Sequence, residues 1–214
     1  MNIIIAGGGL TGLSAALELS HHDVTLIDSK QELGTPVRSP GIIDDESLLI
    51  SGVKDKIQFN NGCFRRSWLE KAMAIKVIEQ GSKIMLKTRI VGYDDGLILK
   101  GSQIGIPEKM NADVYIDLLG EKSPYPGWFG DSKILRNEEM IRPPSRKLVN
   151  WKGGISISGG EYTRADGTGE TWWRDEAPFI PPEGWLEQMS GEHPERISAD
   201  AAIIRGIECA EKIV

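Results

Sequence analysis

The spacing of apolar and polar positions changes several times along the chain, and each change predicts an element. Residues 2–6, NIIIA, form a short apolar run, too brief for a helix and suited to a strand buried on both faces. From Leu10 the period becomes helical, with Leu10, Leu13, Ala16, Leu17 and Leu19 on one stripe. DVTLIDS, from Asp23 to Ser29, then alternates and runs apolar again as a second strand. Strand, helix and strand in direct succession predict a βαβ unit with a right-handed crossover.

Beyond this unit the pattern is more broken. Residues 34–62 are rich in Gly, Pro and Asp and read as loop with short strands. Residues 65–80 read as a helix that Ser67 caps, Glu70 completes as a capping box and Gly81 ends. Trp68, Ala72, Ile75 and Ile78 would be its inward stripe. A β-hairpin insertion follows between residues 84 and 108, turning at YDDGL, and ADVYIDLLG predicts another buried strand. Residues 124–151 are rich in proline and mixed charge and predict an exposed excursion. GGISISGGEY reads as a strand closed by glycines, residues 163–184 as loop, and ISADAAIIRGIECAEKIV as a final helix. The pattern places the chain in the α/β class: a Rossmann-type fold, its central parallel sheet flanked by helices on both faces.

The first turn carries the most specific chemistry. Gly7, Gly9 and Gly12 fit G-x-G-x-x-G directly after a strand and at the opening of a helix. The first glycine permits the sharp turn, the second lets a pyrophosphate approach the backbone, and the third lets the helix pack close to the sheet. Leu10 and Thr11, in the first helical turn, offer backbone N–H groups at the positive end of the helix dipole. Asp28, with Ser29 beside it at the end of the second strand, is placed to accept from an adenosine ribose. The motif alone does not separate FAD from NAD.

Composition narrows the partners. The net charge of −6 argues against a nucleic-acid surface, which requires a basic excess. Twenty-five glycines in 214 residues exceed average usage and fit many tight turns and close backbone approaches. Arg142, Arg146 and Lys147 lie near Glu138 and Glu139 and read as a solvated loop. Cys63 and Cys209 have no companion at metal spacing, so they read as reduced structural thiols, and no metal site is expected. No apolar run approaches the roughly 20 residues of a membrane span, nor does the N-terminus have the basic region of a signal peptide. A cytoplasmic location is expected.

Several later segments, in order, resemble the geranylgeranyl reductase family, flavoproteins of the broader p-hydroxybenzoate hydroxylase-like group. GTPVRSPGII, Gly34 to Ile43, is similar to that family's G-x-P-V-x-C-x-G segment. FRRSWLEKAMA is similar to the group's arginine-headed helix, with Arg65 in the arginine position. ADVYIDLLGEKS resembles the strand that ends in Asp-Gly-x-x-Ser, matching at Gly120 and Ser123. ISISGGEY with the final helix resembles the closing strand and helix of flavin-binding chains. The resemblance implies FAD as cofactor. It implies that Arg38 and Ser39 lie near the flavin ring, Arg65 on the phosphate or flavin side, and Gly160 and Glu161 toward the ribityl chain. Two positions depart: Ser39 stands at the family's cysteine and Leu119 at the aspartate of Asp-Gly. The segment available for a substrate domain is also short, so one FAD-binding domain is expected over 1–214.

The implied function is a small FAD-dependent oxidoreductase of unknown substrate and electron donor. The alternatives are a non-catalytic flavin- or nucleotide-binding module acting with a partner subunit or as a homo-oligomer, and an NAD(P)-binding protein. His21 and His22 read as partners of a helix C-terminus, and His193 as a solvated loop residue. Asp44, Asp45 and Glu46 read as a solvated turn. Trp172 and Trp173 face opposite ways if they lie on a strand, so one packs a small core; Arg174 could hold an anionic substrate.

Overall fold

The structure, a computed structural model, describes residues 1–35, 38–102, 104–119 and 140–213. Its α-helices are α1 (Leu10–Glu18), α2 (Ser51–Lys54), α3 (Arg66–Glu79) and α4 (Asp200–Glu211). The chain forms two compact units, one of Met1–Leu33, Met73–Ser145 and Ala202–Val214, the other of Gly34–Ala72 and Arg146–Ala201. Each unit has a sheet of its own.

The first unit is built on strands β1 (Asn2–Ala6), β2 (Asp23–Ile27), β3 (Lys83–Met85), β7 (Val114–Asp117) and β8 (Met140–Ile141), in the order β3-β2-β1-β7-β8. Every pairing is parallel, as the βαβ reading requires. Ile3, Ile4 and Ile5 of β1 are completely buried, which explains why that strand reads as an unbroken apolar run. The expected hairpin is β4 (Thr88–Tyr93) and β5 (Leu97–Gly101), extended to a three-stranded antiparallel sheet by β6 (Lys109–Met110). Its turn uses Asp95 and Gly96, both at positive φ, so the Asp-Gly signal identified the geometry correctly. Ile90, Leu97 and Leu99 of this sheet pack with Ile4, Ala6, Ile27, Tyr115 and Met140 in one core. Burying each large aliphatic side chain there contributes about 2 kcal/mol.

The second unit contains the antiparallel sheet β10-β11-β9-β12, formed by β9 (Val149–Ser156), β10 (Tyr162–Thr163), β11 (Gly169–Trp173) and β12 (Glu187–His193). Only β9 was legible. β11 lies in a stretch that reads as loop, and in β12, EQMSGEH, only Met189 is buried, so its alternation carries almost no apolar signal. Trp172 packs with Ile42, Cys63, Ile155 and Met189, while Trp173, on the other face, stacks on Trp185 at 5.2 Å. Tandem glycines make room for both indoles: a Cβ on Gly153 would lie 2.9 Å from Trp172, and one on Gly154 would overlap Trp185.

In α3 the inward residues are Leu69, Ala72, Met73 and Val77, while Trp68, Ile75 and Ile78 are exposed. The expected stripe shared only Ala72 with the observed one, because apolar residues occupy both sides of this helix. Nor does Glu70 form a capping box; its carboxylate accepts from Arg66 Nε at 2.8 Å. The 34–62 region has helical turns at Glu46–Leu48 and Ser51–Lys54 and isolated bridges in place of short strands.

Candidate cofactor site

The glycine loop joins β1 to α1 in the first unit. Gly7 sits at φ +110°, and a Cβ there would overlap the Leu118 carbonyl oxygen, so the sharp turn requires glycine. A Cβ on Gly12 would collide with the Gly7 carbonyl oxygen and stand 3.6 Å from Ile5 Cγ2, so the third glycine brings α1 down onto loop and sheet. Gly9 differs from both. Nothing lies within 4 Å of where its Cβ would be, its φ of −76° is open to any residue, and it is the N-cap of α1. No side chain caps that helix and no acidic residue lies in its first turn, so the positive end of α1 is left to an outside anion. Gly9, Leu10 and Thr11 are therefore the residues that could hold an anionic group such as a pyrophosphate.

Asp28 is buried at the end of β2, and both its carboxylate oxygens are engaged. Oδ2 accepts the Gly8 N–H and Oδ1 the Lys30 N–H, each at 2.7 Å. The residue read as a ribose acceptor thus first ties the glycine loop to β2. Since a carboxylate has about four acceptor sites, capacity for a ribose hydroxyl remains. Ser29 adjoins it on the exposed side. Gly206 of α4 approaches α1 so closely that a Cβ would overlap the Thr11 carbonyl oxygen.

Asp117 ends β7, where Ala6 ends β1. Burial pushes its carboxyl above the usual range, opposed by the Leu119 N–H at 3.2 Å and by Arg142 Nε at 3.0 Å. Arg142 is thus an ion-pair partner, not a solvated loop residue. Leu119 contributes backbone alone to this arrangement, and Gly120 and Ser123 lie outside the described residues.

The second unit contains Arg38, Ser39, Arg65, Gly160 and Glu161. Arg38 is exposed and Ser39 half-buried. Arg65 pairs with Asp166 and lies over the Trp68 ring at 5.3 Å. Burial raises the Asp166 carboxyl, but the Thr168 hydroxyl and N–H and the Arg65 guanidinium outweigh it and hold it down to about 2. Gly160, at φ +128°, and the exposed Glu161 form the turn from β9 to β10. Ile155 and Ser156 of ISISGGEY end β9 of the antiparallel sheet, while β8, two residues long and too short to show a pattern, lies beside β7 in the parallel one.

Sequence reasoning missed the polar groups buried in this unit. Glu170 is 0% exposed; its Oε2 accepts from Arg164 Nη2 at 2.6 Å and Nε at 3.0 Å, and its Oε1 from Trp172 Nε1 at 2.6 Å and the Gly41 N–H at 2.9 Å. His193, read as solvated, ends β12 with Nε2 2.9 Å from the Arg38 carbonyl and its ring edge-on to Trp172 at 5.4 Å. Burial, then the Arg38 contact (which opposes it) and the charges of Arg66 and Arg146, leave its pKa below the usual value. Asp200, in the first turn of α4, accepts from the N–H groups of Asp45 at 2.8 Å and Asp44 at 3.0 Å. Arg174 is occupied by Glu195 and the Trp151 face. Cys63 and Cys209 are free and buried, and burial, reinforced by the Glu170 charge, pushes the Cys63 thiol up to about 12. Among the described residues no acid, His or Cys group could hold a metal, and no helix is long and apolar enough to cross a membrane. Of these groups, only Arg66 with Glu70 left a sequence signal, the i,i+4 charge pair.

No protein-family model matches the chain. It is 27% identical over 163 residues to digeranylgeranylglycerophospholipid reductase 2 of Methanosphaera stadtmanae, covering 60% of this chain and 42% of that protein. Against digeranylgeranylglycerophospholipid reductase 1 of Methanothermobacter thermautotrophicus it is 26% identical over 183 residues, 70% of this chain and 46% of the other. A geranylgeranyl bacteriochlorophyll reductase-like protein from Thermoplasma acidophilum superposes with a TM-score of 0.66 at 14% identity, over 98% of this chain and 77% of that one. The chain is thus similar in sequence to two digeranylgeranylglycerophospholipid reductases and shares its fold with a geranylgeranyl bacteriochlorophyll reductase-like protein. A flavoprotein/dehydrogenase from Cytophaga hutchinsonii shares the fold, with a TM-score of 0.64 at 12% identity over 98% of this chain and 76% of its own. The matched segments span less than half the length of the two reductases.

Proposed function

We propose that this chain binds FAD and acts as a small geranylgeranyl-reductase-like oxidoreductase. The observation that carries the reading is the contrast within the glycine loop. Gly7 and Gly12 are closed in by backbone, while Gly9 faces open space at an uncapped helix N-terminus. That is the arrangement a pyrophosphate needs. Gly7, Gly9, Leu10, Thr11 and Gly12 hold the pyrophosphate, and Asp28 and Ser29 the ribose. Arg38, Ser39 and Arg65 serve the phosphate or flavin side, and Gly120, Gly160 and Glu161 the remainder. The flavin, when bound, supplies the redox chemistry; the chain binds and orients it. The chain acts in the cytoplasm in this reading.

A second reading, a flavin- or nucleotide-holding module that works with a partner subunit, is favoured by two observations. Arg65 is already committed to Asp166, and Leu119 brings no carboxylate to the end of β7. The deciding measurement is the visible absorbance of the purified protein, with the released cofactor identified by mass, for wild type and Gly9→Val. Gly9 tolerates a side chain sterically, so the variant folds, yet it fills the space a phosphate would take. A yellow wild type releasing FAD beside a folded, colourless Gly9→Val is the expected result. A wild type that stays colourless after incubation with FAD overturns the reading. Bound FAD that no reductant changes would favour the module.

A further inference from the structure

The second unit contains two buried ion pairs, Arg66–Glu70 and Arg164–Glu170, whose side chains are no more than 9% exposed. Such pairs are poor stabilising devices, because the cost of desolvating both charges is comparable to their attraction, and apolar replacements of similar volume are often as stable. Each pair, however, directs one polar atom at the same short segment. Arg66 Nη1 donates to the Pro40 carbonyl at 3.1 Å, and Glu170 Oε1 accepts the Gly41 N–H at 2.9 Å. The Phe64 N–H donates to the Gly41 carbonyl at 2.8 Å, and His193 Nε2 contacts the Arg38 carbonyl at 2.9 Å. A carbonyl only accepts, so this last bond requires a proton on Nε2. A Cβ on Gly41 would overlap the Phe64 carbonyl oxygen, so the chain approaches as closely as glycine allows. Four backbone polar atoms of residues 38–41 are thereby fixed, while the Arg38 side chain remains exposed and Ser39 half-buried.

We infer that Glu170, Arg66 and His193 are positioning residues that preorganise the 38–41 backbone so that Arg38 and Ser39 meet an anionic or flavin ligand without an ordering cost. The ligand in this inference rests on the FAD reading above; the rigidity of the segment does not. None of the three residues touches the ligand in this scheme.

Trypsin cleavage between Arg38 and Ser39 of the cofactor-free full chain, followed by mass of the 1–38 fragment, reads the opening of the segment directly. The apolar double variant Arg164→Met/Glu170→Leu is expected to stay folded by circular dichroism and to melt cooperatively. Its cleavage at Arg38 should be about 10-fold faster, since each lost charge-assisted bond raises the open population by about that factor. Its affinity for FAD should weaken about 10-fold for the same reason. His193→Ala should also speed cleavage, and His193→Gln, whose amide nitrogen can occupy the Nε2 position, should restore it. A folded double variant cleaved within about twofold of wild type overturns the inference. Should the double variant not fold, His193→Ala cleaved at the wild-type rate overturns it instead. A wild type that takes up no FAD while both variants still open the segment removes the flavin reading and leaves the positioning role standing.

Discussion

The glycine loop of the first unit and the 38–41 segment of the second are each held in shape to meet a proposed ligand, by opposite means. The loop is shaped by missing side chains: Gly7 and Gly12 are wedged against backbone and Gly9 opens outward, all within one turn of chain. The 38–41 segment is shaped by side chains brought from afar. Glu170 lies 129 residues from Gly41, and His193 lies 155 from Arg38. The first device depends on steric exclusion and tolerates no added atom at Gly7 or Gly12. The second depends on electrostatics and is sensitive to charge, and hence to pH.

The sharpest way to break this contrast is to remove one charge from the second device. Glu170→Ala leaves the Arg164 guanidinium buried without its carboxylate and should cost about 3–5 kcal/mol by urea denaturation. A loss under about 1 kcal/mol would mean that water replaces the carboxylate, and would weaken the electrostatic account. Within the first device, Gly12→Ala should cost about 1–3 kcal/mol, because the methyl group must displace the Gly7 carbonyl. Gly9→Val should stay within about 0.5 kcal/mol of wild type, and equal losses at the two positions would deny the loop its two-part character.

The pH dependence comes next in size. Because folding lowers the His193 pKa, the unfolded chain binds more protons between the folded value and 6.5. The associated stability is fully present above pH 6.5 and is lost as the pH falls through the lower, folded value. Urea midpoints should therefore decline below pH 6.5 in wild type and decline less in His193→Gln. Identical pH profiles would remove His193 from the account. Least affected should be Lys54→Ala, which breaks an exposed pair with Glu46 and should change stability by less than about 0.5 kcal/mol. A larger loss there would show that surface charge alone accounts for part of the effect at Glu170.

What the sequence made legible follows the same division. β1, α1 and β2 were readable because each is stabilised by a local period and the glycines between them sit at fixed spacing. The hairpin was readable because Asp95-Gly96 encodes its turn locally. By contrast, β11 and β12 are held by pairing to β9: β12 buries only Met189, and β11, though buried over Gly169–Trp172, includes the polar Glu170 and Thr171 among those positions, so no apolar period reveals either strand. α3 was located correctly but rotated, since both of its sides carry apolar residues and only tertiary packing selects Leu69 and Met73 over Trp68 and Ile75. The candidate site divides likewise. Gly7, Gly9, Gly12 and Asp28 were found from spacing. Glu170 and His193 were missed because a lone acid between Gly169 and Thr171 and a histidine before a proline acquire their roles only through distant partners.

Gly153 and Gly154, each beneath an indole on opposite faces of β9, act as a steric key for the antiparallel sheet. Trp172 sits cross-strand from Gly153, so sliding β11 by one residue would bring its ring against the side chain of Lys152 or onto the backbone seat reserved for Trp185. Neither misalignment can close. A sheet whose short strands carry little hydrophobic code thus has the alignment of β11 on β9 specified by shape.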